Sequence, residues 1–317
     1  MSSRGIITLA YGKPRYIEMA KSLARSLILH DPNVMRAIIT DSSDPELRDL
    51  FTYRINLRPE YGSPAGHRLH LDRYTPFNET LFIGPDCLAV HPLHNFWTAF
   101  HSVPFGVCGA RSLRPRTAEV EVTISFIINN IHGKTLPSLP RFSGAIYYFK
   151  RTPEADALFT TARHLLAHAP ELYFSHHRRN GFDTGPSDEA LSSVAMAIHG
   201  LTATDMGTGG IWPAVDASIR LALDIPHGIC TFVKPGRLYL PDILHLGPFT
   251  ESHFYLRECA RIEHRVKGQP DLTTPQELQL ISTATILWAR RKARSLSRRL
   301  RFALPTTSTT PSTNATR

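Results

Sequence analysis

The feature that most constrains the fold is a strand–helix–strand unit at the start of the chain. Residues 5–10 (GIITLA) form an uninterrupted apolar run, which is typical of a strand buried on both faces. Pro14 opens a helix over residues 15–30, whose apolar side chains recur at helical spacing until Asp31-Pro32 ends it. Residues 36–40 (RAIIT) form a second buried strand. Because such a connection joins parallel strands, this unit predicts an α/β fold with a mostly parallel central sheet.

The chain continues this alternation of strands and helices up to about residue 245. Strands are predicted within 79–90, 105–109, 143–149 and 229–233 and around Leu244, and helices over 153–168 and 188–199. We therefore expect one α/β domain over residues 1–275 and a basic amphipathic helix over 276–304. Residues 305–317 are polar and of low complexity, which predicts a disordered tail.

The positive charge of the chain is confined to its C-terminal end. The formal net charge is +9, but residues 278–317 hold eight Lys and Arg and no acidic residue. Residues 1–277 therefore carry 28 basic and 27 acidic groups. A nucleic-acid-binding domain is expected to be basic over a whole face, so this near-neutral body argues against nucleic acid as a partner.

The basic C-terminal segment has two interpretations. Its apolar residues follow a spacing that places them on one stripe of a helix: Ala289, Ala293, Leu296, Leu300 and Ala303. In one interpretation, the helix packs on the body through Leu287 and Trp288 and then projects into solvent. In the other, it lies on an anionic membrane surface with its apolar side down.

Several bulk features predict a soluble, cytoplasmic protein. No charged-then-apolar leader precedes the first strand, and no apolar run approaches the roughly 18 residues that span a bilayer. The four cysteines form no Cys-x-x-Cys pair, which argues against a zinc ribbon or a disulfide framework. The sequence also has no G-x-S-x-G elbow, Walker A loop or His-Glu-x-x-His helix.

Small polar features follow the ends of the predicted strands. The first strand ends at Ala10-Tyr11-Gly12, the second ends at Thr40-Asp41, and the third is interrupted by Gly84-Pro85-Asp86. In an open α/β sheet, ligands bind beyond the carboxyl ends of the strands, where such loops collect. Each feature also has a structural interpretation, since Asp41 suits a helix N-cap and the Gly-Pro and Pro-Asp pairs favour turns.

In their order and spacing, these features resemble the GT-A-fold glycosyltransferases that use nucleotide sugars, nearest to the galactosyltransferase and glycogenin-like group. The resemblance implies a single GT-A-like (Rossmann-like) domain in which Ala10, Tyr11, Tyr16 and Asp41 bind the nucleoside of the donor. It further implies that Arg68, which precedes the third strand, faces the diphosphate.

The central motif of that family is Asp-x-Asp, and residues 82–90 resemble its context with one departure. The first acid is replaced by Gly84, while Asp86 is retained. In the family the two carboxylates hold a divalent cation, because hard oxygen ligands suit Mn²⁺ or Mg²⁺. The resemblance implies Asp86 and His245 as metal ligands. The alternative is metal-independent transfer, in which Arg or Lys neutralises the leaving group.

Two later stretches extend the resemblance. Ser143 and Gly144 match a Ser-Gly pair that precedes a strand of aromatic residues in the family, which assigns both to the donor site. Asp188 and Glu189 match an acid pair that faces the reacting sugar, which makes them the expected catalytic residues. Acidic residues in the first turn of a helix also complement the helix dipole, so a structural role is the alternative.

The resemblance implies a hexosyltransferase of glycan biosynthesis. Its donor would be a nucleoside diphosphate sugar, most simply a UDP-sugar, and its acceptor a glycan or a lipid-linked acceptor. Such an enzyme would lie in the cytoplasm, peripheral to the inner face of the membrane. Because the first acid of the motif is missing, the alternative is a non-catalytic relative that serves as a nucleotide-binding scaffold or sensor.

Overall fold

The computed structural model describes the chain over residues 4–110, 139–169, 178–179, 182–183, 187–213, 221–234 and 237–303. In chain order the strands are β1 (Arg4–Leu9), β2 (Met35–Thr40), β3 (Tyr53–Asn56), β4 (Glu79–Ile83), β5 (Cys87–Ala89), β6 (Phe105–Gly106), β7 (Gly109–Ala110), β8 (Arg141–Phe142), β9 (Ile146–Lys150), β10 (Arg178–Arg179), β11 (Phe182–Asp183), β12 (Ile211–Pro213), β13 (Leu221–Asp224), β14 (Ile229–Lys234), β15 (Arg237–Tyr239) and β16 (Ile243–His245). The helices are α1 (Pro14–His30), α2 (Leu47–Leu50), α3 (Pro64–Arg68), α4 (Leu71–Tyr74), α5 (His94–Ala99), α6 (Pro153–Ala167), α7 (Asp188–Ile198), α8 (His253–Val266) and α9 (Thr274–Ala303).

Six strands form the central sheet in the order β3-β2-β1-β4-β9-β6. β1, β2, β3 and β4 pair in parallel, whereas β9 runs antiparallel to both of its neighbours. The N-terminal unit forms because the apolar stripe of α1, including Ile17, Leu23 and Leu27, is buried against the strands. The predicted α/β fold with a mostly parallel sheet is therefore confirmed.

The apolar run at residues 79–90 is divided between two sheets. β4 belongs to the central sheet, whereas β5 joins a three-stranded sheet of order β12-β16-β5. β5 and β16 are antiparallel, with Cys87 opposite His245, and the Leu246 N–H donates to the Asp86 carbonyl over 2.9 Å. This register places His245 directly beside Asp86.

The glycines near residue 210 pack around a buried carboxylate. The Asp242 side chain is 4% exposed and accepts hydrogen bonds from the Gly210 N–H over 3.1 Å and from the Asn95 amide over 3.2 Å. The Asp242 carbonyl accepts from the N–H groups of Val90 and His91. Asp242 therefore fixes the start of β16 against the chain that follows β5.

Helix α8, which the sequence analysis does not predict, joins the sheet β13-β14-β15 to the body. These three strands are antiparallel. Glu258 of α8 is fully buried, accepts the Ile225 N–H over 2.8 Å and pairs with Arg257 over 2.9 Å. Because a charged residue occupies the buried face, the apolar periodicity that predicts a helix is weakened.

Helix α9 begins at Thr274, two residues before the predicted start. It packs beside α8, with Ala284 buried and Leu287 half-buried. Trp288 is 60% exposed, so the interpretation in which Trp288 packs on the body is wrong.

The predicted tail at 305–317 lies outside the described residues. In the described part of the chain, no helix combines the length and apolar character needed to cross a membrane.

A buried ion cluster joins α1, the loop after β2, and α8. Lys21 is 7% exposed and pairs with Asp44 over 3.1 Å and with Glu46 over 2.9 Å. Arg25 pairs with Glu46 and, over 3.4 Å, with Glu263 of α8. Burial opposes the ionisation of Glu46, but hydrogen bonds from Lys21 and Arg25 lower its pKa below the usual value. The cluster therefore stabilises the loop that begins at the end of β2.

Replacing Lys21 with methionine should lower the free energy of unfolding by about 2 kcal/mol at neutral pH, because three carboxylates, those of Glu18, Asp44 and Glu46, lose a buried partner. Lys267 pairs with Glu263 at the surface, so Lys267→Met is the control and should cost at most about 0.5 kcal/mol. Since the folded-state pKa of Glu46 is lowered, its contribution is present above about pH 4.3 and is lost as the pH falls through that lowered pKa. Urea denaturation at neutral and acidic pH measures both effects. Equal stability of the Lys21 variant and the wild type at neutral pH would contradict the prediction.

Candidate active site

The carboxyl ends of β1 and β2 meet at one edge of the central sheet. Both carboxylate oxygens of Asp41 accept the Gly12 N–H, at 3.2 Å each. Gly12 has a φ of +76°, a conformation that favours glycine, so the turn depends on this residue. Ala10 is 1% exposed and packs in the core, and its N–H donates to the Ile39 carbonyl over 3.0 Å, so the structure does not present it at the surface of this edge.

Tyr11 connects this edge with the next group of predicted residues. Its ring is half-buried and meets the His67 ring edge-on, with centroids 5.1 Å apart. Burial raises the pKa of Tyr11, the Arg68 guanidinium opposes that rise, and Tyr16 and Asp41 add to it. Tyr11 therefore lies close enough to Asp41 and Tyr16, which are expected at the nucleoside, and to Arg68, which is expected at the diphosphate, for their charges to affect its pKa.

Arg68 ends the short helix α3 and reaches towards α7 with its guanidinium. Its Nη1 donates to Asp188 Oδ2 over 3.1 Å and to the Gly144 carbonyl over 3.3 Å. The guanidinium also lies over the Phe82 ring, 5.4 Å from its centroid. Burial alone would lower the pKa of Arg68, but the Asp188 carboxylate reverses this effect and raises it. Arg68 is thus a positioned, permanently charged cation.

Asp188 is the first residue of α7 and is held from two sides. Besides Arg68, the Tyr147 hydroxyl donates to Asp188 Oδ2 over 2.7 Å. Burial and the Asp188 charge raise the pKa of Tyr147, which keeps its hydroxyl protonated as the donor. Asp188 is therefore the counter-ion of Arg68. Tyr147 is a site residue that the sequence analysis does not assign, and its one sequence signal is its place in the aromatic strand after Ser143-Gly144.

Glu189 and Gly144 form the neighbouring contact. The Gly144 N–H donates to Glu189 Oε1. A β-carbon on Gly144 would lie 2.4 Å from Glu189 Cγ and 2.9 Å from the Tyr147 hydroxyl, so this approach requires glycine. Ser143 lies in the same turn, where its Oγ accepts the Ala145 N–H over 3.4 Å.

Gly84-Pro85-Asp86 is a tight turn that also presents a carboxylate. The Cys87 N–H donates to the Gly84 carbonyl over 3.1 Å, and the Gly84 N–H donates to the Ala145 carbonyl over 2.8 Å. Asp86 Oδ2 lies 3.3 Å from His245 Nε2. Burial opposes ionisation of Asp86, but the hydrogen bond with His245 and the charge of Arg68 lower its pKa. The turn and the binding interpretations of this triplet are therefore compatible.

The donor set at Asp86 and His245 tests whether a cation fits there. Among the described residues, no group of three or more His, Cys, Asp or Glu side chains converges as a metal site. The 3.3 Å between Asp86 Oδ2 and His245 Nε2 suits two neighbouring ligands of one cation, each at about 2.1–2.2 Å. The described chain thus offers two side-chain ligands, and a cation held by them would need further oxygen ligands from outside the protein.

Acidic side chains lie near the expected position of the diphosphate. Asp188 pairs with the Arg68 guanidinium, Asp86 is close enough to influence it, and Glu189 accepts the neighbouring Gly144 N–H. An anionic ligand is repelled by these carboxylates unless a bound cation compensates.

No protein-family model and no curated protein matches the sequence. Among solved structures, the galactosyltransferase LgtC in complex with donor and acceptor sugar analogs is 12% identical with a TM-score of 0.51, and the match covers 86% of this chain and 98% of that one. An active-site mutant of LgtC is 10% identical, with the same TM-score of 0.51. The bifunctional glycosyltransferase WbbM is 9% identical with a TM-score of 0.50, and the match covers 89% of this chain and 52% of WbbM. At these identities the matches establish the fold.

Proposed function

We propose that this chain, whose fold is that of the GT-A glycosyltransferases, transfers a sugar from a nucleoside diphosphate sugar to an acceptor. The observation that supports the proposal is the meeting of Asp86 with His245, 3.3 Å apart, beside the charged guanidinium of Arg68. The match with LgtC, whose structure contains donor and acceptor sugar analogs, supports this assignment.

The nucleoside half of the donor is assigned to Ala10, Tyr11, Tyr16 and Asp41. The aromatic ring of Tyr11 provides a flat apolar surface, and Asp41 offers an acceptor for a sugar hydroxyl or a base N–H. A UDP-sugar is the simplest donor. Arg68 supports the diphosphate half, because its guanidinium is fixed by Asp188 and stays charged throughout the reaction.

A divalent cation, Mn²⁺ or Mg²⁺, is assigned to Asp86 and His245 together with the diphosphate oxygens of the donor. Such a cation neutralises charge on the leaving diphosphate. Because Asp188 pairs with Arg68 and Asp86 lies close enough to influence it, we expect the diphosphate to bind weakly when no cation is present. Metal-independent transfer, in which Arg68 neutralises the leaving diphosphate, is the competing mechanism.

The catalytic side chains are assigned to Asp188 and Glu189, with different tasks. Asp188 holds Arg68 and Tyr147 in place, so it acts by positioning the guanidinium. Glu189 is held by the Gly144 N–H next to the same group, and we place its carboxylate near the reacting carbon of the sugar. Ser143 and Gly144 form the turn on which the donor sugar rests. A hexose is the proposed sugar.

Calorimetry with UDP-, GDP- and CMP-sugars, each with and without Mn²⁺, tests the proposal. We expect binding of one nucleotide class, strengthened by the cation, and slow donor hydrolysis in the absence of acceptor. Absence of binding for all donors by the folded chain would refute the proposal.

Replacing Gly144 with alanine should reduce turnover by about a hundredfold, because the added methyl group displaces Glu189 and the Tyr147 hydroxyl. Gly200 lies away from the site, has a φ of +70° and has open space around its β-carbon position. Gly200→Ala therefore reports the loss of stability when alanine is forced into a left-handed conformation without displacing any neighbour. Turnover with the best donor and thermal melting are measured for both variants. Full activity of the Gly144 variant would remove Glu189 from the mechanism.

A non-catalytic scaffold or sensor is the second candidate function, and Gly84 favours it because it stands where the resembling family has an acidic residue. Nucleotide binding without any hydrolysis or transfer would support this candidate. Turnover that survives a chelator would instead support the metal-independent enzyme.

The acceptor is proposed to be a glycan or a lipid-linked acceptor, reached at the inner face of a membrane from the cytoplasm. α9 supports this location because Leu278, Ile281 and Trp288 are exposed on a helix that also carries basic residues.

Deleting residues 289–317 should spare donor binding and weaken association with anionic vesicles. Loss of donor binding would show that this segment belongs to the catalytic fold.

Nucleic acid is not proposed as a partner, because residues 1–277 are nearly neutral.

A further inference from the structure

His67 is a buried histidine to which the proposed mechanism assigns no task. It is 1% exposed and lies in the short helix α3, directly before Arg68. Burial lowers the pKa of His67, so its ring is neutral at neutral pH and adds no charge beside the guanidinium of Arg68. His67 therefore contributes the contacts of a neutral ring rather than a charge.

One side of the His67 ring is fixed by Tyr74 of α4. Nδ1 of His67 lies 3.0 Å from the Tyr74 hydroxyl, which is hydrogen-bond distance. The same hydroxyl accepts the Arg58 N–H over 3.0 Å, so it is held from two directions. The Tyr61 ring adds an edge-on contact with Tyr74, with centroids 5.4 Å apart. Because Tyr74 is only 4% exposed, His67 is anchored to a side chain that is itself fixed in the core.

The His67 ring also supports Tyr11. The two rings meet edge-on, with centroids 5.1 Å apart and an angle of 69° between their planes. In the part of the chain that the structure describes, this is the one ring contact of Tyr11, which otherwise packs against apolar core side chains. Apolar packing is non-directional, whereas an edge-on ring contact prefers a particular tilt. The plane of the Tyr11 ring is therefore determined mainly by His67.

The tilt of the Tyr11 ring matters for binding a nucleoside. A flat ligand stacks on the face of an aromatic ring, so the plane of that ring has to match the plane of the ligand. A ring that is fixed before the ligand arrives loses less conformational freedom on binding, which strengthens the affinity. Since His67 and Arg68 are consecutive in α3, one short helix supports the ring expected at the nucleoside and carries the guanidinium expected at the diphosphate.

We propose that His67 is a positioning residue, which fixes the plane of the Tyr11 ring for the nucleoside of the donor. The inference rests on the proposed function, in which Tyr11 is assigned to the nucleoside. His67 acts through Tyr11 and does not itself contact the ligand.

Calorimetry with UDP, or with the nucleotide that the wild type binds instead, tests the proposal on two variants. In His67→Asn the side-chain amide can pair with the Tyr74 hydroxyl in place of Nδ1, but the ring beside Tyr11 is lost. We expect this variant to bind UDP about tenfold more weakly than the wild type.

His67→Phe makes the opposite change, because it keeps a ring beside Tyr11 and removes the partner of the Tyr74 hydroxyl. We expect a lower melting temperature, since a buried hydroxyl loses its hydrogen bond, and a UDP affinity within about threefold of the wild type. Thermal melting of both variants is measured beside the calorimetry. A loss of stability that the two variants share does not account for a difference in affinity between them.

A double-mutant cycle with Tyr11→Ala separates positioning from a general structural role. If His67 acts through Tyr11, His67→Asn should change UDP affinity by less than about twofold once Tyr11 is alanine. His70→Asn is the matched control, because the His70 ring stacks on Tyr61. We expect its UDP affinity to stay within about twofold of the wild type.

Equal UDP affinity of His67→Asn and the wild type would overturn the proposal. Equal losses of affinity in the asparagine and phenylalanine variants, or effects of the Tyr11 and His67 substitutions that simply add, would also overturn it. Failure of the folded wild type to bind any nucleotide refutes the proposed function itself. That result differs from nucleotide binding that the wild type shows and His67→Asn retains in full, which refutes only the role of His67.

Discussion

Asp86→Asn should reduce turnover with Mn²⁺ by at least about a hundredfold, while the melting temperature stays close to that of the wild type. The side chain keeps its shape and its hydrogen bond with His245, so the turn and the β5–β16 register are preserved. What is lost is the carboxylate, whose pKa is lowered so that it is ionised at neutral pH. Of the two side chains proposed to hold the cation, the variant thus loses the one that carries a negative charge.

The direction of the effect separates the two mechanisms for the leaving group. If a cation bridges Asp86 and the diphosphate, the variant binds donor more weakly when Mn²⁺ is present. If Arg68 acts without a cation, removal of a nearby negative charge should strengthen nucleotide binding in a chelator. Asp49→Asn removes an exposed carboxylate from α2 and is the control for charge alone. Wild-type turnover by the Asp86 variant, with and without metal, would exclude Asp86 from the site.

Gly84→Asp should create a cation site that the free protein can use without nucleotide. A β-carbon at Gly84 would lie 3.0 Å from Asp86 Oδ1 and 3.6 Å from the Ala145 carbonyl oxygen, so a small rotation of Asp86 accommodates it. Two carboxylates and His245 then supply three protein ligands. We expect the affinity for Mn²⁺ to rise at least about tenfold.

The same substitution should make stability depend on the cation. Two adjacent carboxylates repel each other when no cation is bound, so the melting temperature of the variant should fall in a chelator and recover with Mn²⁺. Gly84→Ser adds a β-carbon without a charge and should show neither change. Mn²⁺ titration by electron paramagnetic resonance, with thermal melting beside it, measures both properties. A cation response equal to that of the serine variant would mean that the triplet is a turn only.

The parts of the fold that were predictable are those determined by local pattern. β1, α1 and β2 match their predicted ranges to within one residue because each buries an apolar run or stripe. β3 was not predicted, since Tyr53–Asn56 lies at the sheet edge and is mostly exposed. α8 was not predicted, because the fully buried Glu258 interrupts its apolar face. Tertiary hydrogen bonds to Glu258, which no local pattern reveals, compensate for that burial.

For the candidate site, the sequence predicts residues but not the contacts between them. Asp41 and Asp86 follow strands whose carboxyl ends collect loops at one edge of the sheet, and the resemblance to the GT-A family implied roles for them and for Arg68. The bond from Tyr147 to Asp188 depends on how β9 packs against α7, and the meeting of Asp86 with His245 depends on the pairing of β5 with β16. These are long-range contacts, which a single sequence does not determine. The proposed roles of these residues remain predictions.

The pairing of β5 with β16 also has a consequence for the order of folding. Asp86 and His245 are 159 residues apart in sequence, and Arg68 and Asp188 are 120 apart. Contacts that close such long loops form late, because the entropy of closure is lost before the contact is gained. The parallel sheet is encoded in the first third of the chain and can begin to form during synthesis. The contact between Asp86 and His245 forms only after β16 has been made, so the proposed site is completed late in the maturation of the chain.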